Sequence, residues 1–172
     1  MISADQFKKI RAIISDIDGV LTDCRTGYGA PDFIKFFHYR DGHWLKMAKR
    51  QGYIVGLISG RSSLANRTRA QELGLDFCKE DVHEKLAVFE EILSEYDLKA
   101  EECLYVGDDV VDARVMRRAG IGVAVADGVP ALDEFADWRL QTPGGHGVFV
   151  EILERLFKET GQWDQVMERY RQ

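Results

Sequence analysis

The chain has 172 residues, of which 45% are hydrophobic and 30% charged, with a formal net charge of -6. That length suits one domain with a substantial core, and the composition is ordinary for a globular protein. The excess of acids is the reverse of the basic stripe of a nucleic-acid binder, and no apolar run reaches bilayer-spanning length, so neither nucleic acid nor a membrane is an expected partner.

Residues 4–10 read as a short leading helix and residues 12–16 as a buried strand, Ala-Ile-Ile-Ser-Asp, that runs into Asp16, Asp18 and Gly19. Residues 23–40 change character. The turn chemistry of Gly27-Tyr28-Gly29-Ala30-Pro31 is flanked by Phe33, Phe36, Phe37 and Tyr39, a pattern that predicts a β-hairpin flap whose apolar surface meets another subunit. Asp41 is the expected cap of a helix to about residue 51, ended by Gly52. Residues 53–58 are a second buried strand ending at Ser59-Gly60-Arg61, and residues 63–73 a helix stopped by Gly74. A short strand is expected at 76–78. A helix follows over 84–96 with an apolar stripe of Leu86, Phe89, Leu93 and Tyr96. Residues 103–106 form a strand ending at Gly107-Asp108-Asp109, followed by a helix over 111–118 and a strand over 121–126. A short helix at 130–135, an edge strand at 138–140, a helix over 148–159 and a helical or mobile tail at 163–172 complete the chain. Cys24, Cys78 and Cys103 show no metal-ligand spacing and read as reduced thiols of a cytoplasmic protein, with Cys78 and Cys103 as core filler. The N-terminal residues lack the basic segment and apolar run of a secretory signal.

Strands alternating with helices predict an α/β domain with a parallel sheet and helices on both faces. Ligands of such sheets bind outside the carboxyl ends of the strands. Three predicted strand ends carry Asp16 with Asp18, Ser59, and Asp108 with Asp109. Crowded carboxylates there call for a cation, and an all-oxygen donor set favours Mg2+, which usually also meets a phosphate. Ser59 and Lys85, the latter at a helix start, are suited to grip that phosphate. One carboxylate can serve as nucleophile and a second as acid and base.

Asp16-x-Asp18-Gly-Val-x-Thr22, Ser59 after an apolar strand, Lys85, and Gly107-Asp108-Asp109-x-x-Asp112 together resemble the four motifs of the haloacid dehalogenase superfamily, across nearly the whole chain. The hairpin in place of a cap domain resembles its minimal-cap subgroup. So do Arg40-Asp41-Gly42, Ser59-Gly-Arg61, Val123-Ala-Val-Ala-Asp127 and Pro143-Gly-Gly145. The resemblance implies one Rossmann-like three-layer phosphatase domain over residues 1–172, with residues 23–40 as the flap and 161–172 as a C-terminal tail. It implies Asp16 as nucleophile and Asp18 as general acid and base. Mg2+ would be held by Asp16, Asp18 (through its carbonyl) and Asp108, with Asp109 and Asp112 holding its waters, and Ser59 and Lys85 on phosphate. The implied substrate is a phosphorylated 2-keto-3-deoxy sugar acid of eight carbons, in lipopolysaccharide precursor synthesis, or alternatively a nine-carbon sialic-acid-like one. Arg40 and Arg61 are candidates for its carboxylate, since arginine binds carboxylates in a bidentate fork. The implied assembly is a homotetramer joined through the hairpin. Where the subgroup carries arginines after Pro-Gly-Gly, this chain has His146 and Val150. A receiver-like or non-catalytic interaction module is the alternative of a different class. A receiver would put an adjacent acid pair after the first strand, whereas here that strand ends Asp-x-Asp.

Overall fold

The computed structural model describes residues 2–29 and 33–171. Residues 30–32, which include the predicted turn residues Ala30 and Pro31, and Gln172 of the predicted tail lie outside the described residues. Ala12–Ser15 (β1) is buried at every position and pairs in parallel on both edges, with Ile54–Ile58 (β4) and Cys103–Gly107 (β6). Phe77–Lys79 (β5) adds beyond β4, and Ile121–Ala124 (β7) and Trp138–Arg139 (β8) add beyond β6. The order β5-β4-β1-β6-β7-β8 is wholly parallel. The chain builds outward from β1 on one side, then returns to build outward on the other. The resulting switch point opens a crevice at the carboxyl ends of β1, β4 and β6.

Strand alternation divides the core into two layers. Ile13, Val55, Leu57, Leu104 and Val106 face Phe7 of Ala4–Lys9 (α1), Leu45 and Ala48 of Tyr39–Arg50 (α2), and Val148–Glu159 (α6). Ile14, Ile58, Cys103 and Tyr105 face Phe89 and Ile92 of Lys85–Glu95 (α4) and Met116 of Ala113–Arg118 (α5). In α6, Val148, Phe149, Ile152, Leu153, Leu156 and Phe157 are fully buried, an i, i+4 stripe of the kind that docks a helix on a sheet. The three-layer α/β architecture agrees with the sequence, and α6 has the predicted bounds. Leu64–Leu73 (α3) stops at Gly74, which is left-handed as expected of a C-terminal glycine. The tail contains a short helix, Trp163–Glu168 (α7). No helix among the described residues is long and apolar enough to cross a membrane.

Four local expectations are corrected. The strand predicted at 76–78 is shifted to Phe77–Lys79. The helix expected from residue 111 begins at Ala113, because Val110–Asp112 is a 3-10 turn. The predicted hairpin shrinks to two-residue strands, Gly27–Tyr28 (β2) and Phe33–Ile34 (β3), and Tyr39 and Arg40 belong to α2. That helix starts two residues before Asp41, with His38 at its N-cap, so Asp41 does not cap it. Asp41 is instead fully buried and caps a different helix: its Oδ1 accepts a hydrogen bond from Phe149 N, 2.7 Å away, in the first turn of α6. Its Oδ2 has no partner among the described residues.

Burial pushes the Asp41 carboxyl up to about 6, against the pull of the α6 amides and Arg69. The folded state therefore holds a proton that the unfolded chain has released between about pH 4 and pH 6, so this group's contribution to stability falls as pH rises through that window. Asp41→Asn keeps the capping oxygen and removes the charge. Its stability relative to the wild type, measured by urea unfolding, is expected to rise between pH 4 and pH 7 by about 2–3 kcal/mol.

Candidate active site

β1, β4 and β6 release their chains at one rim. Asp16 follows β1 with its amide on Val106 O at 3.0 Å, and Ser59 follows β4 with its amide on Lys79 O at 2.9 Å. Asp108 follows β6. Lys85 is the first residue of α4, and its Nζ lies 3.0 Å from Asp16 Oδ1 and 2.7 Å from Asp112 Oδ1. Asp16, Asp18, Ser59, Lys85, Asp108 and Asp109 line one cavity of about 620 Å3, with Arg61 and His83 at its side. Asp112 lies fully buried behind Lys85. There Tyr105 donates its hydroxyl to Oδ1 at 2.6 Å, and the amides of Asp108 and Asp109 reach Oδ2 at 3.2 and 3.4 Å.

The glycine of the Asp-x-Asp-Gly turn is fixed by space as well as by backbone. Gly19 has φ +96°, and a Cβ there would sit 1.9 Å from Asp108 Oδ2. The first and fourth motifs thus touch where only hydrogen fits. The Pro143-Gly144-Gly145 loop leans on the same turn: a Cβ on Gly144 would lie 1.9 Å from Gly19 O. Gly145 N donates to Val20 O at 2.9 Å, and Asp127 holds the loop by accepting from Gly144 N at 2.8 Å.

Three carboxylates, Asp16, Asp108 and Asp112, bring oxygens within 4.8 Å of one another around one ammonium. Burial, and next the charge of Asp112, push Asp16 up to about 7 despite Lys85. Burial, then Asp16 and Asp112, push Asp108 up to about 8. Burial alone would lower Lys85, but Asp16 and Asp112 outweigh it and hold the ammonium above the ordinary lysine range. The rim is therefore short of positive charge. Oxygen-only donors at this spacing fit a hard divalent cation.

The remaining groups suit an anion that carries an electrophile. Ser59 Oγ accepts from Arg61 N at 3.2 Å, which leaves the hydroxyl proton for a further acceptor. Asp16 keeps one carboxylate oxygen free of Lys85. Cys24, exposed at the mouth with its Sγ 4.0 Å from Asp108 Oδ2, is not a thiolate nucleophile: burial, then the charges of Asp108 and Asp18, raise its thiol.

The structure does not bring Arg40 to this cavity; it is exposed in the first turn of α2. Asp109 turns its carboxylate on the adjacent Val110 N at 2.6 Å. His146 is exposed, with Nδ1 2.6 Å from Gly144 O. Sequence reasoning missed two groups that complete the rim. Tyr105, the polar residue of an otherwise apolar strand, anchors Asp112. Lys35 of the flap pairs with Asp18, at 2.7 Å from Oδ1 and 2.8 Å from Oδ2. The only signal for Lys35 was a lone cation at an inward position of an alternating apolar run.

A family model for haloacid dehalogenase-like hydrolases matches residues 39–120. The chain is 34% identical over 168 residues to the 3-deoxy-D-manno-octulosonate 8-phosphate phosphatase KdsC of Escherichia coli K12, which spans 95% of this chain and 89% of that one. This chain belongs to the haloacid dehalogenase-like hydrolases. Solved structures agree over nearly the full length. A probable YrbI family phosphatase from Pseudomonas syringae superposes with TM-score 0.94 at 32% identity, covering 98% of this chain and 97% of that one. The 3-deoxy-D-manno-octulosonate 8-phosphate phosphatase of Moraxella catarrhalis, in complex with magnesium, phosphate and KDO, superposes with TM-score 0.93 at 28% identity, covering 97% of each chain.

Lys85 is the ammonium between two buried carboxylates, so Lys85→Met is expected to destabilise the metal-free protein by about 3–5 kcal/mol at pH 8. The loss should shrink toward pH 5, as a proton on Asp16 replaces the missing cation. Urea unfolding at the two pH values checks both.

Proposed function

We propose that this chain is a Mg2+-dependent phosphatase that hydrolyses 3-deoxy-D-manno-octulosonate 8-phosphate (KDO 8-phosphate) to KDO and inorganic phosphate. In that role it would serve lipopolysaccharide precursor synthesis in the cytoplasm of a Gram-negative bacterium. The observation that carries this reading is the strand-end cluster: Asp16 paired with Lys85 at 3.0 Å, with the carboxylates of Asp108 and Asp112 close enough to share one divalent cation. The 34% identity to KdsC over 95% of the chain supports the choice of substrate.

In this reading Mg2+ would be held by Asp16, the main-chain carbonyl of Asp18 and Asp108, with Asp109 and Asp112 holding its waters. When bound it neutralises the carboxylates and the substrate phosphate. Ser59 and Lys85 bind the phosphate oxygens and orient phosphorus toward Asp16. The free carboxylate oxygen of Asp16 attacks phosphorus in line, and the bond to the sugar oxygen breaks. Asp18 gives its proton to that oxygen as it leaves. Asp18 then takes a proton from water, which attacks the aspartyl-phosphate at phosphorus, releasing phosphate and restoring Asp16. Arg61, on the cavity wall, is assigned to the sugar-acid carboxylate. Arg40 would need a neighbouring subunit's site to take part.

We further propose that residues 1–172 act as one catalytic domain whose flap starts at residue 23 and ends where α2 begins at Tyr39, and that four copies join through the hairpin and the adjoining first turn of α2. Tyr28, Ile34, Phe36 and Tyr39 are all exposed there, an apolar cluster of the kind that meets a partner. A cytoplasmic setting agrees with cysteines that remain free. His146 and Val150, which differ from the subgroup's arginines, give reason to include the nine-carbon sugar-acid 9-phosphate as a second substrate.

A phosphate-release assay over sugar phosphates, with Mg2+ or with chelator, tests the proposal. Turnover is expected on KDO 8-phosphate, well above the nine-carbon compound, and only with Mg2+. Equal, poor rates on both sugar-acid phosphates would defeat the substrate assignment. Asp16→Asn is expected to reduce turnover by at least about 10^3-fold; wild-type turnover in that variant would refute the nucleophile.

A further inference from the structure

The two acids of the Asp-x-Asp turn are each held by a different lysine. Asp16 has Lys85, delivered by the rigid start of α4. Asp18 has Lys35, delivered by the flap, and among the described residues no other cation is within ion-pair distance of it. The Lys35 side chain is 1% exposed although its neighbours Ile34 and Phe36 are 49% and 78% exposed. Extended-chain alternation turns Phe33, Lys35 and Phe37 toward the body while Ile34 and Phe36 face out.

A buried lysine is an expensive way to dock a ribbon. An apolar side chain of similar length would fill the same space without desolvating an ammonium. The flap is also too small to hold its shape alone, with β2 and β3 paired, among the described residues, at Gly27↔Ile34 and Tyr28↔Phe33. Its docking rests on this ion pair together with apolar contacts such as Phe37 under the Arg69 guanidinium, 5.6 Å from the ring centroid. One ammonium near-equidistant from both oxygens fixes the direction and plane of the carboxyl group, and leaves the outer lone pair of each oxygen for other partners.

We propose that Lys35 is a positioning residue for proton transfer: by gripping both oxygens of Asp18 it aims the carboxyl group at the leaving oxygen, so the docked flap completes the acid-base group. The inference rests on the assignment of Asp18 as acid and base made above. It makes the flap part of the chemistry as well as a wall of the pocket.

The test compares two leaving groups, KDO 8-phosphate, whose alkoxide needs a proton, and p-nitrophenyl phosphate, whose phenolate departs without one. For Lys35→Met with Mg2+, the single-turnover rate of aspartyl-phosphate formation from the sugar phosphate is expected to fall about 10- to 100-fold, part of the roughly 10^2- to 10^4-fold that a general acid contributes. KM and the rate of the same step with p-nitrophenyl phosphate are expected to stay within about threefold, and Lys35→Arg to recover most of the loss. Equal loss of this first step on both substrates would mean that Lys35 only packs the flap, and no loss on either would mean that it does nothing for Asp18; each overturns the proposal. If thermal melting shows Lys35→Met to be unfolded, Lys35→Gln against Lys35→Arg carries the same comparison. Asp18→Asn, run in parallel, separates the two levels. If it loses sugar-phosphate turnover while Lys35→Met does not, the role of Lys35 alone fails; if it loses none, the assignment of Asp18 fails first.

Discussion

One buried ammonium holds this rim in shape. Lys85 lies between Asp16 and Asp112 at 3.0 and 2.7 Å, and each partner ties it to a different strand. Asp16 ends β1. Asp112 is fixed under β6 by the Tyr105 hydroxyl and by two amides of the Asp108-Asp109 turn. The pair therefore locks the carboxyl end of one strand to that of its neighbour, with α4 as the strut. Its two anionic partners, with Asp108 close by, leave an excess of negative charge that the protein alone does not balance, which is why burial and mutual repulsion lift Asp16 and Asp108 to about 7 and 8. A site that is unstable toward its own charge is primed to take a divalent cation and then a phosphate carried with it.

The rest of the fold keeps that cluster dry and in register. Parallel strands buried on both faces set the rim, and the α6 stripe and the α4 stripe close the two layers. Steric exclusion at Gly19 and Gly144 brings three turns into contact where any side chain would intervene. Asp41, which does not line the cavity, does comparable work on the scaffold: it joins α2 to the first turn of α6 with a single carboxylate oxygen, just after the loop that leans on the Asp-x-Asp-Gly turn.

Much of this was legible in the sequence, because strand-end chemistry is local. An apolar run that stops at an acid or a hydroxyl announces both the strand and the side chain at its tip, so Asp16, Asp18, Ser59 and Asp108 could be placed before any contact was known. Lys85 could be placed by its position at a helix start. The residues that resisted reading depend on partners far along the chain. Asp41 looks like a local cap, but its acceptor serves Phe149. Tyr105 looks like one more core aromatic until Asp112 is seen beside it. Arg40 looked available for substrate, but α2 begins at Tyr39, so its first turn directs Asp41 and Gly42 inward and leaves Arg40 exposed. The flap was expected as a longer hairpin because a glycine- and proline-bearing turn is flanked by aromatics whose alternation is imperfect; among the described residues two pairs form a ladder.

The central claim is that Asp16 carries the phosphoryl group between substrate and water. The most direct measurement is to quench the Mg2+-loaded enzyme with acid during turnover of a substrate labelled in its phosphoryl group, and to map the label by peptide mass analysis. The account predicts label on the peptide that contains Asp16, at a level that falls as the substrate is consumed. Steady release of labelled phosphate with no labelled peptide, or with label on another residue, would contradict it.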